Sequence, residues 1–370
     1  MQTVKKTGGV FRTATVLLLC CFFLLFVICP LGAMLLNLGK ADLGALLQDG
    51  SIRTAAGHSL LVSLCATVIS IAVAAVAAVC VSRTAVRLKS FFSVLILLPM
   101  LIPSISHGMG LTILFGQNGT LTKLLGMQNG IYGFPGIVVG SVMYAFPVAF
   151  LMICDILRYE DATPYEAARV LGIGKARRFC AITLPYLTKP MISVFFAVFT
   201  MIITDYGVPL MIGGKYKTLP VLMYEEVIGR QDFAKGSFFG VILLLPAVIA
   251  FFVDLFCKND RRSGSVAREF TLSKKFVRDA LAFVYLAVLS VCVIYPIASF
   301  AELAFTKAYP IDLTFTLHHV QNTFRKGAGD YLLNSVLIAC GTALLGTATA
   351  FLSACFTARD RALGSRFLHL

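Results

Sequence analysis

Apolar residues dominate eight blocks of this chain, near residues 14–38, 57–82, 90–116, 135–156, 191–213, 237–257, 279–305 and 332–357, and a ninth starts near Phe367. Short polar segments separate them. A helix crossing a hydrocarbon layer about 30 Å thick needs roughly 20 apolar residues, and each complete block supplies a run of that order. The pattern predicts an all-α integral membrane protein, a polytopic helical bundle. Several blocks contain helix breakers: Pro99, Pro103, Gly108 and Gly110 in the third, Pro147 in the fourth and Pro246 in the sixth. Neighbouring helices can satisfy the backbone groups that such residues free. At Pro99 to Gly110 the breakers are dense enough that an irregular, cavity-facing segment is the competing expectation.

The blocks repeat. His58-Ser59-Leu60-Leu61-Val62 opens the second and Asn334-Ser335-Val336-Leu337-Ile338 opens the eighth, 276 residues later; Val27-Ile28-Cys29-Pro30 in the first matches Val293-Ile294-Tyr295-Pro296 in the seventh, 266 later. A longer polar loop in the second copy reconciles the spacings. The expected organisation is a tail (1–13), a six-span unit (14–257) with a basic loop at 157–190, a basic linker (258–278, containing Ser263-Gly264-Ser265), and an incomplete second unit (279–370). Ending at Arg366-Phe367-Leu368-His369-Leu370, as a ninth block opens, predicts a truncated product, a fragment or a split gene.

Composition agrees with the pattern: 58% of the 370 residues are hydrophobic, 14% are charged, and the mean hydropathy is +0.86, outside the range of soluble domains. A net charge of +14 would suggest nucleic acid in a soluble protein. Here topology explains it better. With the N-terminus inside, the cytoplasmic side holds Lys5, Lys6 and Arg12, then Arg83, Arg87 and Lys89, six cations from Arg158 to Lys189, seven from Lys258 to Arg278, and Arg359, Arg361 and Arg366. These are 22 of the 32 Lys and Arg, which favours a cytoplasmic N-terminus by the positive-inside rule. A secretory signal over the first block is the alternative, but a clear cleavage site is missing. The 11 Cys sit in or beside apolar blocks without a C-x-x-C pair and read as small hydrophobes. The His318-His319 pair does not suit a metal, because adjacent side chains diverge.

The polar loop at 157–190 carries the most information. Pro164 suits a first helical position, Tyr165-Glu166-Ala167-Ala168-Arg169-Val170-Leu171 are good helix formers, and Gly172 suits a left-handed cap. A second helix is expected from Lys175, ending before Pro185. The product is a helix-turn-helix hairpin with a slim face at Ala167 and Ala168 and a charged face at Glu166, Arg169, Lys175, Arg177 and Arg178. Such a loop could lie on anionic lipid headgroups; Glu166 and the two alanines suit a partner's groove better. No G-x-x-x-x-G-K-[ST] phosphate loop is present, and no nucleophile, acid-base pair or metal set clusters as an enzyme would need.

The pattern Glu166-Ala167-Ala168, three residues, Gly172, nine residues, Ile182, one residue, Leu184-Pro185 resembles the cytoplasmic loop of ABC importer permeases, the EAA motif of binding-protein-dependent inner-membrane subunits. The resemblance implies a type I transmembrane fold in the cell inner membrane. It implies that the hairpin is an ATPase-coupling loop, with Ile182 and Leu184 holding it against the membrane domain. The implied partners are a dimeric cytoplasmic ATP-binding subunit, which would bind ATP and Mg, an extracytoplasmic solute-binding protein, the lipid bilayer, and a second permease half or copy. No cofactor is expected in this chain, and no nucleic acid. Asp205-Tyr206-Gly207-Val208-Pro209-Leu210-Met211-Ile212-Gly213-Gly214 resembles permeases for 2-aminoethylphosphonate or iron(III), and sometimes thiamine or polyamines; the fused six-plus-six arrangement points to the same group. Pro99, Pro103, Gly108, Asp205 and Gly207 are the translocation-path candidates, although Asp205 also suits a plain turn cap. The mixed-charge loop from Lys215 to Lys235 suits a soluble partner or an ordinary hydrated surface. An ion-coupled secondary transporter is the rival reading; it should carry ionisable residues in mid-span, and none is convincing.

Overall fold

In hydrocarbon every backbone polar group must be satisfied within the chain, so the apolar blocks fold as helices. The computed structural model describes residues 16–257, 268, 270–272 and 274–359. Lys5, Lys6, Arg12, Arg361, Arg366, the ninth block near Phe367, and linker residues 258–267 lie outside the described residues. The long helices are α1 (Val16–Leu38), α2 (Gly50–Arg83), α3 (Lys89–Leu97, prolonged by a 3-10 turn, Leu98–Leu101), α4 (Ser104–Phe115), α5 (Phe134–Arg158), the loop helix α6 (Thr163–Val170), α7 (Lys175–Ile203), the short α8 (Gly207–Ile212), α9 (Phe233–Cys257), α10 (Phe276–Phe305) and α11 (Ala328–Arg359). Seven are long and apolar enough to cross a membrane. An eighth span arises if the bent pair Lys89–Leu101 and Ser104–Leu124, which turns through 102°, is one.

The described residues form two compact units. One covers Ala41–Leu313; the other gathers those before Ala41 and after Leu313. In the larger unit α2 and α5 make the most extensive pairing. Ser59, Ser63, Ala66, Ser70, Ala74 and Ala77 form a buried stripe of small residues on α2, and Ile137, Phe146, Ala149 and Phe150 are buried on α5. Small residues let two backbones approach closely, which drives helix association where no hydrophobic effect exists between helices. Around this pair α7 packs on α2, α5 and α9, while α10 packs on α2, α3 and α4. In the smaller unit, helix His318–Arg325 packs on α11. None of the most apolar stretch of α11, and only 6% of that of α1, is buried in the protein.

The third block follows the competing expectation of an irregular segment within Pro99 to Gly110: it is two helices, broken where Ile102 is extended before Pro103. Two other sequence expectations need correction. The fifth ends at Ile203, ten residues short of its expected limit, and α8 follows separately. The loop's second helix does not stop before Pro185; it continues as α7 through a π-helical turn, Phe179–Thr183. The wider turn shifts the preceding carbonyls away from the proline ring, which would otherwise clash.

Candidate functional site

The loop between α5 and α7 is fixed by local chemistry. Asp161 Oδ1 accepts from Thr163 N at 3.0 Å and Thr163 Oγ1 at 2.8 Å, and Pro164 follows in the first turn of α6. These two bonds, with the Arg268 contact, hold the Asp161 carboxyl below the usual aspartate value. At the other end Ile173 N donates to Ala168 O at 2.9 Å and Gly172 N to Arg169 O at 3.1 Å, with Gly172 at φ 70°. This is a Schellman turn, which requires a left-handed residue. Gly174 then caps α7 in extended conformation. The turn thus falls at Gly172–Gly174, as the sequence suggests.

The hairpin stands on a polar cluster that the sequence does not announce. Arg83, at the end of α2, forms an ion pair with Glu160, donates to Leu157 O at 2.9 Å, and lies 3.7 Å above the Phe270 ring. Glu160 is only 5% exposed. The Tyr165 hydroxyl donates to Glu160 and lies 2.8 Å from Thr183 Oγ1, while its ring meets Phe270 edge-on at 5.2 Å. Burial, then the Glu160 bond, pushes the Tyr165 phenol up to about 12. Arg268 completes the cluster: its N donates to Asp161 Oδ1 at 3.2 Å, its O accepts from Ala162 N at 3.0 Å, and its Nη1 donates to Glu166 Oε2 at 2.8 Å.

Among the loop residues named from sequence, Ala168 is buried, Glu166 and Ile182 are half-buried, and Ala167, Gly172, Leu184 and Pro185 are exposed. Leu184 is 50% exposed, while Tyr165, through its contact with Thr183, and the buried Ala168 also tie the hairpin down. Val170 and Leu171 are 87% and 75% exposed at the apex, an apolar tip that the helix pattern alone had not singled out.

The path candidates come together in part. Asp205 Oδ1 and Oδ2 accept from Gly207 N at 3.2 Å and Val208 N at 3.1 Å, so this carboxylate caps α8. A Cβ on Gly207 would meet Ser104 Oγ at 2.4 Å, and one on Gly108 would meet Met211 Cβ at 2.7 Å. Asp205, Gly207 and Gly108 therefore share the α4–α8 contact, where Pro103 starts α4. Pro99 is buried one break away, its carbonyl 3.2 Å from Nε2 of the buried His107, a residue with no signal in sequence. A separate cavity of about 600 Å³ lies among α5, α7 and α9, lined by Ser193, Phe196, Thr200 and Phe251. Among the described residues, no group of three or more His, Cys, Asp or Glu gathers as metal ligands would.

The family described as "Binding-protein-dependent transport system inner membrane component" matches residues 70–259. Among curated relatives, the ferric transport system permease protein FbpB of Actinobacillus pleuropneumoniae is 24% identical over 309 residues, covering 80% of this chain and 45% of the relative. The molybdenum transport system permease protein ModB of Azotobacter vinelandii is 28% identical over 177 residues, 46% of this chain and 78% of its own. The thiamine transport system permease protein ThiP of Brucella abortus is 27% identical over 137 residues, 35% of this chain and 25% of its own. The chain spans less than half the length of the ferric permeases it matches. A chain in the crystal structure of a bacterial alginate ABC transporter, in complex with an alginate pentasaccharide-bound periplasmic protein, shares the fold with TM-score 0.54 at 15% identity, covering 72% of this chain and 99% of that one. With its apolar helices, it is a multi-pass inner-membrane protein. The family match covers more than half of its residues, and the chain belongs to the inner membrane components of binding-protein-dependent transport systems, the ABC importer permeases of type I fold.

Proposed function

We propose that this chain is the membrane-spanning subunit of an importer, offering a path for a small solute and no bond-making chemistry of its own. A solute-binding protein delivers the solute outside. A separate ATP-binding dimer, holding ATP and Mg, drives the cycle inside, and the N-terminus is cytoplasmic. The observation that carries this reading is the α6–α7 hairpin: a capped turn on a buried polar base, with Val170 and Leu171 exposed at its tip. Such a tip suits a groove in a partner, and rigid-body motion there would tilt α5 and α7 together.

Residues 14–257 act as one six-span unit, 258–278 as a linker, and 279–370 as part of a second unit. The repeat supports this division, since its two copies lie near the starts of α2 and α11, helices of 34 and 32 residues. For the solute we favour iron(III) or 2-aminoethylphosphonate. Ferric permeases among the relatives support the first. The second rests on the resemblance of the Asp205–Gly214 segment and on the fused six-plus-six arrangement, and the molybdenum and thiamine relatives widen the field.

The test uses the purified complex of the chain with its ATP-binding subunit and binding protein. Glu166→Ala is expected to leave membrane insertion intact and to abolish binding-protein-stimulated ATP hydrolysis. Full stimulation in that variant would sink the coupling role. Uptake of radiolabelled iron(III) and of 2-aminoethylphosphonate by the same complex decides between the solutes.

A further inference from the structure

Glu166 is the only acidic residue on α6, and the chain already occupies it. Arg268, 102 residues further on, donates to its carboxylate at 2.8 Å. Three other contacts register Arg268 there: the Asp161 Oδ1 bond to its N, the Ala162 N bond to its O, and Phe270 two residues on, set between the Tyr165 ring and the Arg83 guanidinium. The two ends of this attachment differ in kind. Phe270 lines a cavity of about 430 Å³ with Arg83, Phe150, Leu157 and Leu272, and its contacts are partly buried. The Arg268–Glu166 pair has side chains 64% and 41% exposed. An exposed pair is weak and screened by salt, so another cation can displace it, whereas the Phe270 end stays put.

We propose that Arg268 is a positioning residue that guards Glu166. The chain's own guanidinium holds the carboxylate until a basic group of the docking ATP-binding subunit replaces it. Phe270 keeps its grip on Tyr165 and Arg83 throughout, so Arg268 returns when the subunit leaves. This rests on the reading that the hairpin docks that subunit.

A zero-length cross-link tests the contact directly. In Arg268→Lys the introduced amine can be condensed onto Glu166 by a water-soluble carbodiimide, and fragment mass spectrometry separates that amide from one at Asp161. The cross-link is expected in the purified full chain and should fall at least fivefold once the chain is assembled with its ATP-binding subunit. No cross-link in the chain alone, or equal yield in both, would overturn the guard. Affinity supplies a second readout. Arg268→Gln should tighten subunit binding about two- to fivefold, as expected from freeing a carboxylate held by an exposed pair. Arg268→Lys should bind as wild type. The gain should vanish in a Glu166→Gln background; a gain that persists there, or a loss of affinity, refutes the guard. If Glu166→Gln alone leaves affinity unchanged, the docking reading fails instead.

Discussion

Gly172 and Gly174 stand in one turn, yet only Gly172 has a left-handed backbone, at φ 70° against −63°. An added Cβ would meet nothing within 4 Å at either position, so backbone conformation alone separates them. A left-handed L-residue costs about 1–2 kcal/mol. Gly172→Ala should destabilise the hairpin by about that much, speed amide exchange at its turn and reduce stimulated ATP hydrolysis, while Gly174→Ala should change little. Equal effects would show that the Schellman turn is not formed in the membrane. The Arg83–Glu160 pair gives a second asymmetry. Arg83 is 22% exposed and long enough to reach water, whereas Glu160 is buried. Arg83→Ala strands a buried carboxylate and should cost about 3 kcal/mol, more than Glu160→Ala, as read by thermal unfolding in detergent. Tyr165 adds a pH signature. A phenol raised from 10 to about 12 in the folded protein stabilises the hairpin below pH 10 and loses that contribution as pH climbs toward 12. Ultraviolet titration of wild type against Tyr165→Phe isolates it, and a midpoint near 10 would contradict the buried cluster. Gly172 was legible because a helix cap is a local matter. The partnership of Arg83 with Glu160 was not, since 77 residues separate them and no short-range pattern records it.

Among the elements, the close contacts of α4 matter most. A Cβ on Gly110 would fall 2.6 Å from the Pro296 carbonyl oxygen of α10, a backbone atom that cannot swing away. One on Gly140 of α5 would fall 2.6 Å from Val208 Cγ1, a side-chain methyl that can. Gly110→Ala should therefore lower the unfolding temperature more than Gly140→Ala, with a cost of about 1–3 kcal/mol. The reverse order in detergent-solubilised chain would argue against the α4–α10 packing. Apolar length made the spans readable, because a membrane imposes length directly. Their breaks were harder. Pro103 marks a true break, through its constraint on Ile102, whereas Pro185 and Pro190 sit within α7. Proline says that a backbone bond is missing; the surrounding turn decides whether the helix bends, widens or stops. Asp205 was readable in both guises, as a membrane carboxylate and as a cap, and its bonds to Gly207 and Val208 are those of a cap.

For the larger unit as a whole, two contact sets fix relative sidedness. Two turns into α2, His58 Nδ1 lies 3.0 Å from Lys217 O, and Ser59 Oγ accepts from Leu219 N at 2.8 Å. At its C-terminal end, Arg83 holds Glu160 at the foot of the hairpin. The rise of about 1.5 Å per residue puts these two contact sets some 38 Å apart, more than the roughly 30 Å hydrocarbon layer. The loop near Lys217 and the hairpin near Lys175 must then face opposite sides of the membrane. Charge chooses between the two orientations. Arg83, Arg87, Lys89, Arg158, Arg169, Lys175, Arg177 and Arg178 crowd the hairpin end, and the positive-inside rule predicts that this end is the cytoplasmic one. Single cysteines placed at Lys217 and Glu225 in a cysteine-free chain should react with an impermeant maleimide in intact cells. Those at Arg169 and Lys175 should react only after permeabilisation. Reversed labelling would invert the orientation and remove the hairpin from any cytoplasmic ATPase. Labelling of all four from one side would contradict the crossing of α2, and with it the common frame that joins the hairpin to the α4–α8 contact.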